Sequence, residues 1–299
     1  MVYTVTFNPA LDYVVWVDHL EPGSTNRTCG EEIQFGGKGV NVSCILQTLG
    51  VPTTALGFLA GFTGQALAHG LAERGIRTDF IHLPAGQTRI NVKIKGRTET
   101  EINAQGPAID ADALAKLMQK LDALTADDAL VISGSIPASM PDDSYEKLLQ
   151  RVAGRGVLTV VDAAKELLSR VLPYRPFLIK PNHIELGELF GRTLQSDEEI
   201  LHCARCLQER GARNVLVSMA GNGSLLLDET GRAHRLGVPS GTVRNSVGAG
   251  DSMVAGFLAG WLSRSDYDYA HRLGAAAGSA TAFSDTLATK EEIDALLAQ

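Results

Sequence analysis

The stretch "ADALAKLMQKLDALTADDALVIS", residues 111–133, decides the fold: a helix, "ADALAKLMQKLDAL", runs into a strand, "ALVIS". The same pair recurs. Helix "DDSYEKLLQRVAGRG" (142–156) precedes strand "LTVVD" (158–162), and "KELLSRVL" (165–172) precedes "FLIK" (177–180). Helix "SDEEILHCARCLQERG" (196–211) precedes "NVLVSM" (214–219). These strands are unbroken apolar runs, the pattern of parallel strands covered by helices on both faces. Two more strands, "GSLLLD" and "RAHRLGV", lead to three closing helices around 250–264, 268–283 and 289–298.

The first hundred residues read differently. "VYTVTF" (2–7) and "TTALGFL" (53–59) suit the same sheet, with helices over 39–49 and 64–75. "YVVWVDHL", "TCGEEIQF", "TRINVKIKG" and "RTETEINAQG" are further strands, and in "TRINVKI" the apolar Ile90, Val92 and Ile94 alternate with Asn91 and Lys93. Alternation marks a half-exposed sheet. The expectation is one α/β domain over 1–299, a three-layer α/β/α sandwich with a mostly parallel central sheet. A small β-sheet lid is expected from segments near 12–18, 28–35 and 88–104.

Composition narrows the function classes. Among 299 residues, hydrophobic types make up 44% and charged types 20%, enough for a large core. The net charge of −7, with no basic stripe, gives nucleic-acid binding no electrostatic support. No apolar run is long enough for a membrane helix, and "MVYTVTFNPALD" lacks a signal-peptide pattern, so a cytoplasmic protein is expected. Cys203 and Cys206 form a CxxC with no second ligand pair. They lie within a helical pattern, and packed or surface thiols are the expectation rather than a metal site.

The chemistry gathers where strands end, which is where open α/β sheets bind ligands. In "NSVGAGDSMVAGF" (245–257), Gly248, Ala249 and Gly250 precede a helix. Small residues there leave backbone N–H groups free for an anion, and the helix dipole adds positive potential. Asp251 reads either as a helix cap or as a general base, and the stretch alone leaves both open. Neither the Walker A nor the dinucleotide pattern fits: Lys38 is followed by Gly39, and Met253 stands where the second motif needs Gly or Ala. In "FGGKGVNV" (35–42), Lys38 can serve a phosphate and Asn41 a sugar hydroxyl; Gly37 supplies the turn. "NPALD" ends the first strand with Asp12 downstream. "LIKPNHIEL" (178–186) brings Lys180, Asn182 and Glu185, with Asn182 a candidate cap and Glu185 able to hold Mg²⁺ through water. "VISGSIP" (131–137) delivers Ser135, and "VSMAGNGSLL" (217–226) delivers Ser218, Gly221 and Gly223.

In this order and spacing the motifs resemble those of the ribokinase-type, or PfkB, carbohydrate kinase family across nearly the whole chain. The resemblance implies a ribokinase-like fold, with ATP and Mg²⁺ as cofactors and transfer of the γ-phosphoryl group to a sugar hydroxyl. It implies Asp251 as base and the N–H groups of Gly248, Ala249 and Gly250 as anion hole. Lys180, Asn182, Ser218, Gly221, Gly223 and Val247 would border the nucleotide, and Glu185 would reach the metal indirectly. Asp12, Gly37, Lys38, Asn41 and Ser135 would hold the acceptor. "GGKGVNV" and "TRINVKI" resemble the sugar-phosphate branch, 1-phosphofructokinases before tagatose-6-phosphate kinases, with fructose 6-phosphate a further acceptor. Arg89 and Lys38, helped by Arg27, would then clamp a phosphate already on the substrate. A non-catalytic sugar-phosphate sensor of this fold would lose the carboxylate or the glycines, and both are intact. By resemblance a homodimer through the lid is expected. Two departures stand out: Asn245 replaces a leading Asp, so no K⁺ activation is expected, and Ala220 replaces a glycine of the nucleotide turn.

Overall fold

The computed structural model describes residues 1–163 and 165–299. The large sheet is built from β1 (Val2–Thr6), β4 (Thr53–Ala60), β5 (Arg77–Thr78), β6 (Ile81–Leu83), β9 (Ala129–Ser133), β10 (Leu158–Asp162), β11 (Leu178–Ile179), β12 (Asn214–Ser218), β13 (Ser224–Leu227) and β14 (Ala233–Leu236). Its order is β14-β13-β12-β11-β10-β9-β1-β4-β5, with β6 also paired to β4. Pairing is parallel from β5 to β12 and antiparallel only through β13 and β14. Residues 77–83 thus supply two short strands rather than one.

Strand side chains alternate between two layers. Leu130 and Ile132 of β9 enter the core on one face, and Ala129 and Val131 enter the other. The first face is covered by α3 (Ala111–Leu121), α4 (Ser144–Val152), α5 (Lys165–Val171), α6 (His183–Leu189) and α7 (Asp197–Glu209). The second is covered by α1 (Lys38–Thr48), α8 (Ala249–Arg264), α9 (Tyr267–Phe283) and α10 (Lys290–Leu297). Helix α2 (Gly61–Glu73) completes a third cluster with α1 and β4. Burial on both faces is why these strands carry no polar alternation.

Local chemistry sets the helix starts. Asp110 caps α3 by accepting from the Ala113 N–H at 2.8 Å, and Leu114, Leu117 and Leu121 form its buried stripe. Cys203 is fully buried in α7, accepting a 2.9 Å hydrogen bond from Arg192. Helices α8 and α9 lie close because small residues meet: a Cβ on Gly256 would sit 2.6 Å from the Leu273 carbonyl oxygen.

The small sheet has the order β3-β2-β7-β8, from β2 (Ala10–Trp16), β3 (Gly30–Gly36), β7 (Arg89–Lys95) and β8 (Thr100–Ile102). Register puts Ile33, Tyr13, Val92 and Ile102 in one row across it. Asp12 and Asn91, one residue along, face the opposite way.

Candidate active site

The ends of β1, β9, β10, β11 and β12, the start of α8 and the inner face of the small sheet enclose three adjoining cavities. The central one, about 450 Å³, is lined by Asp12, Lys38, Asn41, Asp162, Lys180 and Asp251, among others. Towards β9 it shares Gly37, Lys38 and Arg89 with a second cavity of about 420 Å³, whose far wall is Ser133–Ile136. Towards β12 it shares Asn182, Ser218 and Gly250 with a third of about 390 Å³. The third is mostly apolar, walled by Ile184, Val238, Val243 and Phe283, with Gly221 and Gly223 at its edge.

The N-cap of helix α8 is Gly248, whose φ of +79 is glycine territory. Among the described residues no side chain caps the helix. The capping reading of Asp251 therefore fails: its carboxylate turns into the central cavity and accepts a 2.8 Å hydrogen bond from Asn41. Ala249 donates its N–H to the Ser246 carbonyl at 3.3 Å. Among the described residues, no acceptor takes the N–H groups of Gly248, Gly250 or Asp251. The free donors thus omit Ala249 from the expected trio and add Asp251. They form a positively polarised rim beside a buried carboxylate.

That carboxylate is strongly perturbed. Burial, reinforced by the nearby charge of Asp162, pushes Asp251 up to about 7, against the pull of Asn41, Lys38 and Lys180. Asp162 behaves oppositely. Burial would raise it, yet the charges of Lys180 and Lys38 outweigh burial and hold it below the usual carboxylate range. Lys38 lies 3.1 Å from one Asp162 oxygen and Lys180 3.6 Å from the other. Two carboxylates in one cavity are thus driven apart, one kept ionised and one poised near neutrality, a pattern typical of acid–base sites.

The neighbouring groups are held firmly. Asn91 donates to Asp12 at 2.7 Å, and burial is the larger influence raising Asp12. A Cβ on Gly36 would collide with that carboxylate, so glycine is required there. Arg89 donates from Nε to the Asn8 carbonyl at 3.0 Å and, among the described residues, forms no ion pair. Asn182 and Glu185 make a reciprocal capping box on α6, at 2.8 and 2.9 Å. Asn182 is thus a cap as well as a cavity wall, and one Glu185 oxygen is already engaged.

A family model described as pfkB family carbohydrate kinase matches residues 6–293. The chain belongs to this family. It is similar to the 1-phosphofructokinase of Bacillus subtilis, 44% identical over 297 residues that cover 99% of this chain and 97% of that one. It is also similar to the D-tagatose-1-phosphate kinase of Bacillus licheniformis, 39% identical over 300 residues, covering 100% and 98%. Among solved structures, phosphofructokinase-2 of Escherichia coli in complex with substrates and products matches with TM-score 0.92 at 28% identity, covering 99% and 98%. An Arabidopsis thaliana ribokinase shares the fold with TM-score 0.80 at 21% identity. The chain is therefore a carbohydrate kinase with a ribokinase-like fold, and the family implies ATP as the phosphoryl donor.

In this pfkB family kinase most of the expected site residues converge. Asp12, Gly37, Lys38, Asn41, Arg89, Lys180, Asn182, Glu185, Ser218, Val247, Gly248, Gly250 and Asp251 line the central cavity, and Ser135 lines the second. Arg27 does not join them. It is exposed in the loop before β3 and lines none of the three cavities. Asp162, Asn91 and Lys93 also line the central cavity; the last two lie within "TRINVKI" but were given no site role, and Asp162 lies in no motif. The only signal for Asp162 was its place at the end of an apolar strand, the same place that exposed the others.

The two departures from the family pattern have local accounts. Asn245 accepts from the Val247 N–H at 3.1 Å and donates to the Asp285 carbonyl at 3.1 Å, so it fixes the approach to α8. Ala220 has a φ of +47, left-handed backbone that disfavours any side chain. Ala220→Gly is expected to stabilise the fold by about 1 kcal/mol with turnover unchanged, read as a raised thermal midpoint.

Proposed function

We propose that the protein transfers the γ-phosphoryl group of MgATP to the C6 hydroxyl of fructose 1-phosphate, giving fructose 1,6-bisphosphate. The observation that carries this reading is the position of Asp251. It caps no helix and is buried, beside free N–H groups, between an apolar groove that suits a nucleotide base and a cavity that offers Arg89. Tagatose 1-phosphate is the second acceptor. The names of both curated relatives place the phosphate on C1, which favours a C6 hydroxyl over the 6-phosphates that the sequence leaves open.

Asp251 takes the proton of the acceptor hydroxyl as its oxygen bonds to the γ-phosphorus, while the bond to the β,γ-bridging oxygen breaks and ADP leaves. The free N–H groups of Gly248, Gly250 and Asp251 face the charge that develops on the phosphoryl oxygens. Asp12, held by Asn91, and Asn41 bind sugar hydroxyls. Arg89 holds the acceptor's own phosphate with charge-assisted bonds. The small sheet lies over this trough and keeps out water that would otherwise take the phosphoryl group.

Mg²⁺ fits this donor set as a companion of the nucleotide. Among the described residues no cluster of three His, Cys, Asp or Glu forms a metal cage, and a cation bound mainly through phosphates and water needs none. Glu185, with one oxygen outside the capping box, is the residue to meet it through water. The ion would neutralise charge on the phosphates when bound.

The outer face of the lid exposes Ile33, Ile90 and Ile102, an apolar patch that supports a homodimer through this sheet. No helix is long and apolar enough to cross a membrane among the described residues.

An ADP-release assay tests the activity. Fructose 1-phosphate is expected to give the highest kcat/KM, with tagatose 1-phosphate next and unphosphorylated fructose at least ~10-fold lower. Equal rates with and without the substrate phosphate would refute the acceptor assignment.

A further inference from the structure

Lys38 and Arg89 both border the acceptor cavity, and the family resemblance assigns both to the acceptor's phosphate. Their surroundings separate them. Arg89 is anchored to the backbone of Asn8, at the acceptor end. The Lys38 ammonium is turned the other way, 3.1 Å from Asp162. Its proton is held against the cost of burial chiefly by Asp162, then by Asp251 and Glu185. Those three carboxylates line the central cavity, where the reacting atoms would meet.

Lys180 occupies the mirror position. It lies 3.6 Å from the other Asp162 oxygen, and a Cβ built on Gly250 would come within 3.2 Å of its ammonium. It therefore sits beside one of the free N–H groups at the start of α8. Asp162 is buried at the end of β10, between β9 and β11, and each of its oxygens faces one ammonium. Two unpaired ammoniums in so small a space would repel each other and turn outward. A fixed carboxylate between them removes that repulsion and holds both before any nucleotide arrives, leaving the group one net positive charge.

We propose that Lys38 acts on the phosphoryl group in transfer, opposite Lys180, and that Asp162 is the positioning residue that holds the pair. This inference rests on the phosphoryl-transfer reading above. It changes the task of Lys38 from binding the acceptor's phosphate to stabilising charge on the three phosphoryl oxygens as the bond to ADP breaks. No atom is transferred to either lysine. Arg89 is left as the cation for the acceptor's phosphate.

The test compares wild type, Lys38→Met and Arg89→Ala in steady-state kinetics, alongside titration with fructose 1-phosphate in the absence of nucleotide. Methionine keeps the apolar stem of Lys38, and the side chain is half-exposed, so the fold tolerates the change. For Lys38→Met, kcat is expected to fall ~10²–10³-fold while KM and the dissociation constant for fructose 1-phosphate stay within ~3-fold. Arg89→Ala should show the opposite split. Asp162→Asn should also lower kcat more than it raises KM. Combined with Lys38→Met, it should cost clearly less than the product of the two single losses, because part of its effect passes through Lys38. A Lys38→Met enzyme with weakened fructose 1-phosphate binding and retained kcat overturns the inference, as does a fully multiplicative double variant. A wild-type protein that releases no ADP with any sugar phosphate overturns the underlying reading as well, so the two failures are distinct.

Discussion

Asp251→Asn is expected to lower kcat by about 10²–10⁴-fold, the range a positioned general base contributes, while acceptor affinity stays within a few-fold. Asparagine keeps the size of the side chain and its hydrogen bond to Asn41, and loses only the ability to take the proton. The same variant should be more stable than the wild type near neutral pH. Burial raises the Asp251 pKa from 3.8 to about 7, so the folded chain holds a proton that the unfolded chain has released. Stability from this group is complete below about pH 4 and declines as pH rises to about 7. At about 1.4 kcal/mol for each pH unit, the loss reaches roughly 4 kcal/mol above that point. Asparagine escapes it, so a thermal midpoint several degrees higher at pH 8, with little difference at pH 4, is the expected result. Wild-type kcat/KM should rise about tenfold per pH unit below pH 7 and level off above it, and the variant should lose that dependence. A variant with near-normal kcat would remove Asp251 from the chemistry.

Arg89→Ala is expected to raise KM for fructose 1-phosphate by about 10–10²-fold, with kcat within a few-fold of wild type. Charge-assisted hydrogen bonds are worth about 1.5–3 kcal/mol each, and a half-buried guanidinium facing a phosphate is in the range where they are effective. Arg89 suits this task because its Nε is fixed to the Asn8 carbonyl, leaving the terminal nitrogens free to form a fork. The preference for the phosphorylated over the unphosphorylated sugar should fall by a similar factor, since the neutral substrate never used the contact. Measuring KM for both sugars in both enzymes decides it: an unchanged ratio places the acceptor's phosphate elsewhere.

Legibility differed from residue to residue. The uncapped start of α8 was visible as Gly248, Ala249 and Gly250, because a left-handed backbone and bare N–H groups demand small residues wherever they occur. Which N–H groups remain free was not visible, since Ala249 is claimed by Ser246 through the turn itself. Asn182 and Glu185 were legible as a pair at capping-box spacing, and that is the contact they make. Arg27 was grouped with Lys38 and Arg89 by its charge, and charge carries no information about distance. The Lys38 partner, Asp162, lies 124 positions away in the chain.

What the sequence determined alone is the set of properties that neighbours within a few residues enforce. Unbroken apolar strands require helices on both faces, alternating ones require a half-exposed sheet, and caps and glycines fix where helices begin. These dictate the layered fold and, through strand ends, the rim on which chemistry gathers. The tertiary structure decided the electrostatics. Asp251 follows a glycine-rich helix start and Asp162 ends an apolar strand, but neither local setting says which carboxylate stays ionised. Packing gives Asp162 two ammoniums and Asp251 one amide, and in a buried site that difference sends one carboxylate below its ordinary range and the other up to about 7. Coulomb interactions act through space, so the roles of these residues exist only once the strands have been brought side by side.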